Sequence, residues 1–503
     1  MNYRRRLLLG ALASLPLRRT LAQANSPAAL RIPSASGFMA LQPPGPVALT
    51  ASVRREPLFP GRSTDVMAYR TSIGGQPAMN PLLRVRRGDV LDVTLDNRLG
   101  EDTTIHWHGL IVDETNDGSG MTPVRNGERY VYRFPVRNRA GTYWYHPHPH
   151  DRTGAQVHRG MAGLLLVEDD EDDALRRELG LVFGETEIPL VIQDMQVDER
   201  NRIRHEMGED DWIGNRMMLN LTPEPHMDAE ARLHRFRILN ASNARLYLLA
   251  FVQDGRPVPF TLIGTDGGLL ERSRAVAQAY LAPAQRLDVL IDFATLAAGS
   301  KVTMASLPYD AMDTADDGPE GMEHPGAPPM GAAIDLVQIR IKPSSAKPRA
   351  IPATLSMLSR MRAATAVRKF RLHTQGKKWF INGYNFHQDM NAVKVRVRRG
   401  DVESWEITND MKSMPHPMHL HGFQFRVTER RKSPAQLRRL AITEKGLTPQ
   451  DLGLVDTVLV WPGETVAIAI DFSQPFTGEQ RYMFHCHNLE HEDQGMMLTY
   501  AVS

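Results

Sequence analysis

The C-terminal part of the chain places a cysteine between two histidines at positions 485–487, and this is the only cysteine in 503 residues. His491 follows Cys486 by five residues, and Met496 follows it by ten. A thiolate, two imidazoles and a weak axial thioether are the ligand set of copper electron-transfer sites. The spacing therefore predicts a copper site at Cys486 that still lacks one histidine ligand.

The two histidines next to the cysteine indicate a second site. On a β-strand, residues i and i+2 face one side, and residue i+1 faces the other. If residues 485–487 are extended, Cys486 lies in one site while His485 and His487 lie in another, so we expect the tripeptide to connect two metal centres covalently. The alternative is a buried cysteine that acts as a small apolar core residue, and the choice depends on further ligands.

The chain supplies such ligands as four His-x-His pairs, each with two imidazoles on one face of a strand. Imidazole suits copper, which stands at the top of the divalent affinity order. Zinc fits less well, because a redox-inert metal has no use for a cysteine bridge between two sites. The eight residues are His106 and His108, His146 and His148, His419 and His421, and His485 and His487.

His416 is the remaining candidate ligand for the site at Cys486. It lies three residues before His419, and we expect a bend of the chain between them to send His416 to the outer site. Isolated histidines are more often structural or surface residues than ligands. We assign that role to His150, His158, His226, His234, His373 and His387.

An internal repeat organises the chain. Residues 84–90 recur as residues 396–402, and Asn97 recurs as Asn409 at the same offset. In each copy a His-x-His-Gly follows nine to ten residues after the asparagine, and a second His-x-His closes the copy. The first and last domains are therefore duplicates. If they face each other, all eight paired histidines can meet at their interface.

Short alternating apolar runs separated by Gly and Pro predict an all-β chain of sandwich domains. The length suggests about three domains at ~150 residues each, which we place at 40–175, 180–345 and 365–503. The middle domain has similar strand patterns but no His-x-His, so we expect the same fold without metal. We also expect an exposed loop at 310–330 and a linker at 343–365. The clearest helix signal follows Ser433 as N-cap, with Pro434 at the first helical position.

Residues 1–24 have the basic start, short apolar run and small-x-small ending of a signal peptide. Paired arginines before the run resemble a twin-arginine (Tat) signal, which is read by the Tat export machinery. A plain secretory signal or a retained anchor is the alternative. We expect cleavage after Ala24 and a periplasmic location.

Removal of the leader changes the net charge of the chain. The whole chain has 60 basic and 58 acidic residues, and the leader carries five arginines and no acidic residue, so the remaining chain has a net charge of −3. This balance does not suggest nucleic-acid binding, and no later segment is apolar and long enough for stable membrane insertion.

Together the motifs resemble the four copper motifs of the multicopper oxidases, over essentially the whole chain after the leader. The resemblance implies three consecutive cupredoxin-like, Greek-key β-sandwich domains and four copper ions: one type 1 (blue), one type 2 and a type 3 pair. Motif by motif, it implies type 1 ligands at His416, Cys486, His491 and Met496, type 2 ligands at His106 and His419, and type 3 ligands at His108, His146, His148, His421, His485 and His487.

The resemblance also implies an activity, in which one-electron oxidation of a reducing substrate at the type 1 copper drives four-electron reduction of O2 to water at a trinuclear cluster. Four protons are consumed, so buried carboxylates beside the cluster make chemical sense. Asp117 matches an acid that delivers protons to oxygen, and Glu492 matches a second carboxylate of a proton relay. For each, the alternative is an ordinary loop acid.

The reducing substrate is either a phenol or aromatic amine, or Cu(I) in periplasmic copper tolerance. The leader and the Gly-Met-Met ending are similar to those of periplasmic cuprous oxidases and their laccase-like relatives. Thioethers bind Cu(I), although Met is also a common core filler, and Asp410 is a loose candidate for an acid near the blue site. The methionines concerned are Met304, Met312, Met322, Met330, Met357, Met361, Met411 and Met414.

Two other functions remain open. One is a copper-sequestering protein. The other is a non-catalytic cupredoxin-fold protein of the cell envelope, like the exported division proteins that resemble these oxidases but have lost the copper ligands. All twelve ligand positions are filled in this chain, which argues against the second.

Overall fold

The computed structural model describes residues 28–34, 36–42, 44–206, 211–312, 324–376 and 378–503. The predicted leader and Met322 lie outside these residues. The strands of the described part form six sheets, two in each third of the chain, which confirms the all-β prediction. None of the helices in these ranges is long and apolar enough to cross a membrane.

The first two sheets carry three of the four histidines in the first two His-x-His pairs: His106, His108 and His146. Their strand orders are β1-β5-β4-β3-β7-β9 and β2-β6-β11-β10-β8. The elements are β1 (Gly37–Phe38), β2 (Leu41–Gln42), β3 (Val47–Glu56), β4 (Thr64–Ile73), β5 (Gln76–Met79), β6 (Leu82–Arg86), β7 (Val90–Arg98), β8 (His106–His108), α1 (Glu114–Asp117), β9 (Arg129–Pro135), β10 (Gly141–His146), α2 (Thr153–His158), β11 (Gly163–Glu168) and α3 (Asp170–Leu179).

Alternating apolar residues explain why β7 and β9 pair over one core. Leu91, Val93 and Leu95 of β7 are buried, while their neighbours are at least partly exposed. β9 buries Tyr132 and Phe134 in the same way. The strands run antiparallel with Val93 opposite Tyr132, so both sets of side chains enter the same apolar cluster.

The two sheets of the middle part contain no His-x-His. Their strand orders are β14-β13-β12-β16-β22-β19-β20 and β15-β24-β23-β17-β18, with β21 also paired to β17. The elements are β12 (Glu187–Met195), β13 (Arg216–Leu219), β14 (Thr222–Pro223), β15 (His226–Glu230), β16 (Leu233–Asn240), β17 (Tyr247–Gln253), β18 (Arg256–Val258), β19 (Phe260–Thr265), β20 (Gly268–Val276), β21 (Ala279–Leu281), β22 (Arg286–Asp292), a 3-10 turn (Phe293–Thr295), β23 (Lys301–Ser306) and β24 (Ile334–Lys342).

The two sheets of the third part carry four of the remaining predicted ligands in their strands: His416, His419, His485 and Cys486. Their strand orders are β26-β25-β28-β32-β30 and β27-β34-β33-β29-β31. The elements are β25 (Ala366–Gln375), β26 (Lys378–Ile381), a 3-10 turn (Phe386–Gln388), β27 (Val393–Val397), β28 (Val402–Asn409), β29 (His416–Leu420), β30 (Phe425–Arg431), α4 (Ala435–Arg438), a 3-10 turn (Pro449–Leu452), β31 (Thr457–Val460), β32 (Thr465–Asp471), β33 (Gln480–Cys486), α5 (Leu489–Asp493) and β34 (Met497–Val502).

The sequence repeat corresponds to equivalent positions in the first and third parts. Gly88 and Gly400 adopt φ values of 98° and 84° in the turns that precede β7 and β28. Asn97 and Asn409 lie at or near the ends of these strands and are buried. Each amide donates to two main-chain oxygens at 2.8–3.1 Å. The repeated asparagine therefore fixes the loop that leads to a ligand strand.

The sheets lie close to the predicted domain limits. They span Gly37 to Glu168, Glu187 to Lys342 and Ala366 to Val502. β1 lies before the predicted start at residue 40, but it belongs to the first part because it pairs with β5. The division into domains at 40–175, 180–345 and 365–503 stays a prediction.

The predicted helix after Ser433 is shorter and differently capped than expected. It covers only Ala435–Arg438, and Pro434 occupies the N-cap position without a side-chain cap. The Ser433 hydroxyl donates instead to Glu464 at 2.6 Å. A buried carboxylate competes successfully for the hydroxyl, so the capping prediction was wrong.

Candidate metal centre

The eight paired histidines meet between the first and third parts of the chain. We call them the inner cluster; His106 and His108 come from β8, His146 ends β10, and His419 lies on β29. All eight are buried. Ligand nitrogens lie within 4.8 Å of one another in groups that cross between the two parts, such as His106 with His419 and His421, and His148 with His421 and His485.

Several ring nitrogens of this cluster have no protein partner in the part of the chain that the structure describes. His106 and His419 donate outward from Nδ1 to the main-chain oxygens of Asp117 and Asp456, each at 2.8 Å. Their Nε2 atoms face inward, and neither these nor the two ring nitrogens of His487 have a hydrogen-bond partner in the described part. Buried polar atoms are normally satisfied. A set of unpaired inward nitrogens therefore fits metal ions.

The protonation state also fits metal binding. Burial lowers the pKa of most inner histidines well below the usual value, and nearby imidazoles lower it further. Burial also lowers the pKa of His148, to about 4. These imidazoles are therefore neutral near pH 7, which is the form that binds a metal.

A second group, the outer site, lies on the other face of β33. His416, Cys486 and His491 form a buried set of ligand atoms. The Cys486 sulfur is 3.5 Å from Nδ1 of each histidine. Met496 is buried in the same apolar core, and its main-chain oxygen accepts the Cys486 N–H at 3.0 Å.

Burial disfavours ionisation of the thiol in the outer site. Burial raises the pKa of Cys486 well above its usual value, although the Asn488 N–H opposes this. Burial lowers the pKa of His416 to about 3 and that of His491 well below its usual value. A thiol and two neutral imidazoles are soft and borderline ligands, and this donor set fits copper.

The predicted bend before His419 is absent, and that prediction was wrong. β29 runs without interruption from His416 to Leu420, and its pairing with β31 shows no register shift. Residues i and i+3 of a strand face opposite sides. An ordinary strand therefore sends His416 to the outer site and His419 to the inner cluster.

The buried His491 lies beneath Trp379 and near a partly exposed acid. The Trp379 indole covers its ring, with centroids 3.9 Å apart. Its Nε2 has no hydrogen-bond partner in the described part and lies 3.8 Å from an oxygen of Asp211, whose side chain is 20% exposed. Sequence reasoning missed Asp211, because no spacing connects it to a motif.

The two predicted acids contact the inner cluster. Asp117 ends α1, and its Oδ2 lies 2.8 Å from Nδ1 of His421, while its Oδ1 has no hydrogen-bond partner in the described part. Gly118 caps this helix in the left-handed region, where a Cβ would be 1.8 Å from the Ile105 oxygen. Glu492 lies 3.4 Å from His148 and 3.2 Å from His485.

These acids have opposite pKa shifts. Burial raises the pKa of Asp117 well above its usual range, and Glu114 and Asp113 add to this rise. Burial also opposes ionisation of Glu492, but His148 and His485 hold its pKa well below the usual range. Two carboxyl groups with diverging pKa values are suited to act as proton donor and proton acceptor.

Sequence reasoning also missed Asp456. This residue precedes β31, and its Oδ1 lies 3.0 Å from Nε2 of His108. It forms a further group of potential ligands with His108 and His419. A single acid before a strand has no motif signal, so only the structure identifies it.

The structural role assigned to the isolated histidines stays a prediction, and two of them contact other protein groups. Nε2 of His158 accepts hydrogen bonds from the Gln196 N–H at 2.9 Å and the Trp212 indole at 3.2 Å. His387 pairs with Asp151 at 2.8 Å. In the described ranges, none of the six belongs to a group of three potential metal ligands.

Several candidate methionines are packing residues. Met304 and Met414 are buried in apolar cores. Met312 and Met330 are partly buried against the cluster around Trp461. The expectation of an exposed loop is therefore wrong for these two residues.

Other candidates for a Cu(I) path are exposed. Met357 is 87% exposed and Met411 is 63% exposed. Asp410 forms a two-pronged ion pair with Arg371 at 2.6–2.8 Å. Its charge is therefore already compensated by the chain.

Comparison with known proteins agrees with this geometry. A family model described as "Multicopper oxidase" matches residues 354–503, and another with that description matches residues 63–172. The McoA multicopper oxidase of Aquifex aeolicus is 37% identical with a TM-score of 0.84, covering 95% of this chain and all of that one. A bilirubin oxidase of Albifimbria verrucaria is 30% identical over 87% of this chain and 73% of the relative. Multicopper oxidase mco of Staphylococcus aureus is 29% identical over 89% and 86%. The chain belongs to the multicopper oxidase family.

Proposed function

We propose that this protein oxidises small organic reductants, phenols or aromatic amines, and reduces O2 to water with four copper ions. The observation that carries the proposal is the pairing of two buried ligand sets through one tripeptide. Cys486 belongs to the outer site, and the histidines on either side of it belong to the inner cluster. A sequestering protein would have no use for this connection.

The outer site would hold the type 1 copper and the inner cluster the type 2 and type 3 ions. Bound copper would supply one-electron redox chemistry, so that electrons taken singly from a donor reduce O2 in a four-electron reaction. The chain contributes a covalent path from the outer site to the inner cluster. It starts at the Cys486 sulfur and passes through one peptide unit to His485 and through another to His487. It also keeps both ligand sets buried, which limits access of water.

Asp117 and Glu492 would manage protons at the inner cluster. Because its pKa is raised, Asp117 keeps a proton to higher pH than an ordinary aspartate does, and the unpaired Oδ1 can carry it. Because the pKa of Glu492 is lowered, this group is ionised and orients His485. Asp117 can therefore release a proton while Glu492 accepts one.

The reductant would dock at the partly exposed Asp211, beside the buried His491. Asp211 lies 3.8 Å from the unpaired Nε2 of His491, and a carboxylate there would attract a positively charged aromatic amine. The exposed Met411, five residues before His416, favours Cu(I) as a second candidate donor. Export through the predicted leader would place either reaction in the periplasm, and oxidation of Cu(I) would contribute to copper tolerance.

Oxygen uptake by the copper-loaded protein tests this function. Steady-state rates are compared for a phenol, an aromatic diamine and Cu(I), with the metal-free chain as control. We expect uptake with the organic donors and four electrons consumed per O2, without release of peroxide. A chain that binds four copper ions but consumes no oxygen with any donor would instead be a sequestering protein.

A further inference from the structure

Arg286 reaches the inner cluster although its own sheets contain no predicted metal ligand. Its buried side chain donates to the main-chain oxygens of Ala284 and Asp266 at 2.8 and 3.2 Å, and to that of Thr142 in the first part at 3.0 Å. The same guanidinium forms a two-pronged ion pair with Asp456 in the third part, where Nη1 and Oδ1 are 2.9 Å apart. One arginine therefore joins all three parts of the chain.

Asp456 connects this arginine to the inner cluster. Its Oδ1 accepts the Nε2–H of His108 at 3.0 Å, and its main-chain oxygen accepts the Nδ1–H of His419 at 2.8 Å. The carboxylate lies against the backbone of Gly109, where a Cβ would be 2.4 Å from Oδ2 and 3.0 Å from Nη2 of Arg286. The glycine of the first His-x-His-Gly leaves room for the ion pair.

His108 is turned the opposite way from its neighbours. Five inner histidines direct Nδ1 outward to an oxygen; they are His106, His146, His419, His421 and His485. His108 directs Nε2 outward to Asp456, and its Nδ1 lies 3.3 Å from Nε2 of His146 inside the cluster. A neutral imidazole has one N–H and one acceptor nitrogen. The Asp456 carboxylate therefore selects the form of His108 that offers Nδ1 to a metal.

We propose that Arg286, from the metal-free middle part, is a positioning residue of the inner cluster that holds Asp456 in place and thereby keeps Nδ1 of His108 turned inward. This inference rests on the proposed binding of copper by the cluster. It assigns a role in the metal centre to the part of the chain that contributes no ligand.

The ion pair is needed because a buried carboxylate that has lost its partner is no longer held in place. Once Asp456 is displaced, its Oδ1 no longer accepts the Nε2–H of His108. The His108 ring can then rotate and direct Nε2 into the cluster instead of Nδ1, which moves the ligand nitrogen to a different position. Partners of this kind typically change metal affinity by 10–100-fold.

Copper titration of the Arg286→Met variant tests the proposal, because methionine keeps much of the length and removes the charge. We expect at least about a tenfold weaker affinity of the inner cluster, with the blue absorption of the outer site unchanged. The outer site is the internal control for folding. Electron paramagnetic resonance of the loaded protein should show an altered type 2 signal and an unaltered type 1 signal. Arg286→Lys keeps the charge but cannot form the two-pronged ion pair, so its copper affinity at the inner cluster should lie between those of Arg286→Met and the wild type.

Arg245→Met is the matched control. Arg245 is also a buried arginine of the middle part with a carboxylate partner, Asp194 at 2.7 Å, and its side-chain hydrogen bonds within the described residues go to Asp194 and Gly214, away from the inner histidines. We expect it to lower stability while leaving cluster affinity and both signals as in the wild type. Equal loss of cluster copper in both variants would mean a general effect on the middle part and would overturn the proposal.

A double variant separates positioning from other effects. Arg286→Met and Asp456→Asn act on one ion pair, so their combined effect should be smaller than the product of the single effects. Independent effects, or a wild-type cluster affinity in Arg286→Met, would refute the role of Arg286. If the wild-type chain itself bound no copper at the cluster, the proposed function would fail, and this is seen before any variant is compared.

Discussion

Cys486 and His487 are adjacent in the chain, but their side chains lie in different sites. The sulfur of Cys486 is 3.5 Å from Nδ1 of His416 in the outer site. The His487 ring lies 5.0 Å from that of His108 in the inner cluster. A change confined to the outer site can therefore leave the inner ligands in place.

The Cys486→Ser variant tests this separation. A hydroxyl is a hard ligand that does not replace a thiolate, so the intense blue absorption and the oxidase activity should both disappear. The inner cluster should still bind about three copper ions, measured as copper per chain. Normal turnover in this variant would show that the tripeptide is not the electron path.

The Asp117→Asn variant tests the proton donor. Asn keeps the shape but cannot release a proton, so donor reduction of the blue copper should be unchanged while its reoxidation by O2 slows by about 10²-fold or more. The raised pKa of Asp117 means that the wild-type reoxidation rate should fall as pH rises through that pKa. Stopped-flow traces over a pH series should show this fall in the wild type and a flat profile in the variant. Identical profiles would remove Asp117 from the mechanism.

The Asp211→Asn variant tests the docking site beside His491. Loss of one partly exposed charge should raise KM for a cationic aromatic diamine by about fivefold, since such pairs contribute up to ~1 kcal/mol. KM for a neutral phenol should change little. Asp228→Asn, at an exposed acid paired with Lys342, is the control. A similar change for both donors would argue against a charge effect.

Replacing Met312 and Met330 together with Leu tests a Cu(I) path. Both residues are partly buried against an apolar cluster, and such swaps usually cost less than about 1.5 kcal/mol each. We therefore expect small and equal changes in oxygen uptake with Cu(I) and with a phenol. A selective loss with Cu(I) would instead support a cuprous path. Adding Met322→Leu extends the test to the remaining predicted methionine.

The ion pair between His387 and Asp151 should respond to pH. Its hydrogen bond to Asp151 raises the pKa of His387, and the same contact lowers the pKa of Asp151. The histidine contributes stability that is present below about pH 6.5 and lost as pH rises through its raised pKa. The aspartate contributes stability that is present above about pH 3.9 and lost as pH falls through its lowered pKa.

Asp151→Asn should therefore lower the melting temperature most near pH 5.5 and scarcely at pH 9. The pair is about half exposed, so the effect should be under ~1 kcal/mol. An NMR titration should show the pKa of His387 returning towards 6.5. Asp65→Asn is the control, because its partner Arg55 stays charged throughout. Loss of the same size at both pH values would contradict this assignment.

The grouping of the candidate ligands could be predicted because their spacing is local in sequence. His-x-His puts two imidazoles on one face of any strand, and the repeat indicated that two such strands would meet. The bend at His416 was predicted wrongly because the alternation of side chains along a strand was considered for Cys486 and its neighbours but not for residues 416–419. Arg286 and Asp456 could not be predicted, since their roles arise where three parts of the chain pack together, and neither residue has a characteristic spacing to the histidines. Ser433 shows the same limit, because Glu464 is distant in sequence but adjacent in space.

The pairing of β29 with β33 also restricts how the chain can change in length. Met418 lies opposite Cys486 and His419 opposite His485, so each strand directs alternate residues to the two sites. Deleting one residue within β33 would turn either its apolar half or its ligand half to the wrong face. Deleting two residues would preserve the facing of those that remain. Insertions and deletions in this strand are therefore tolerated only in even steps, whereas loops that carry no candidate ligand do not have this restriction.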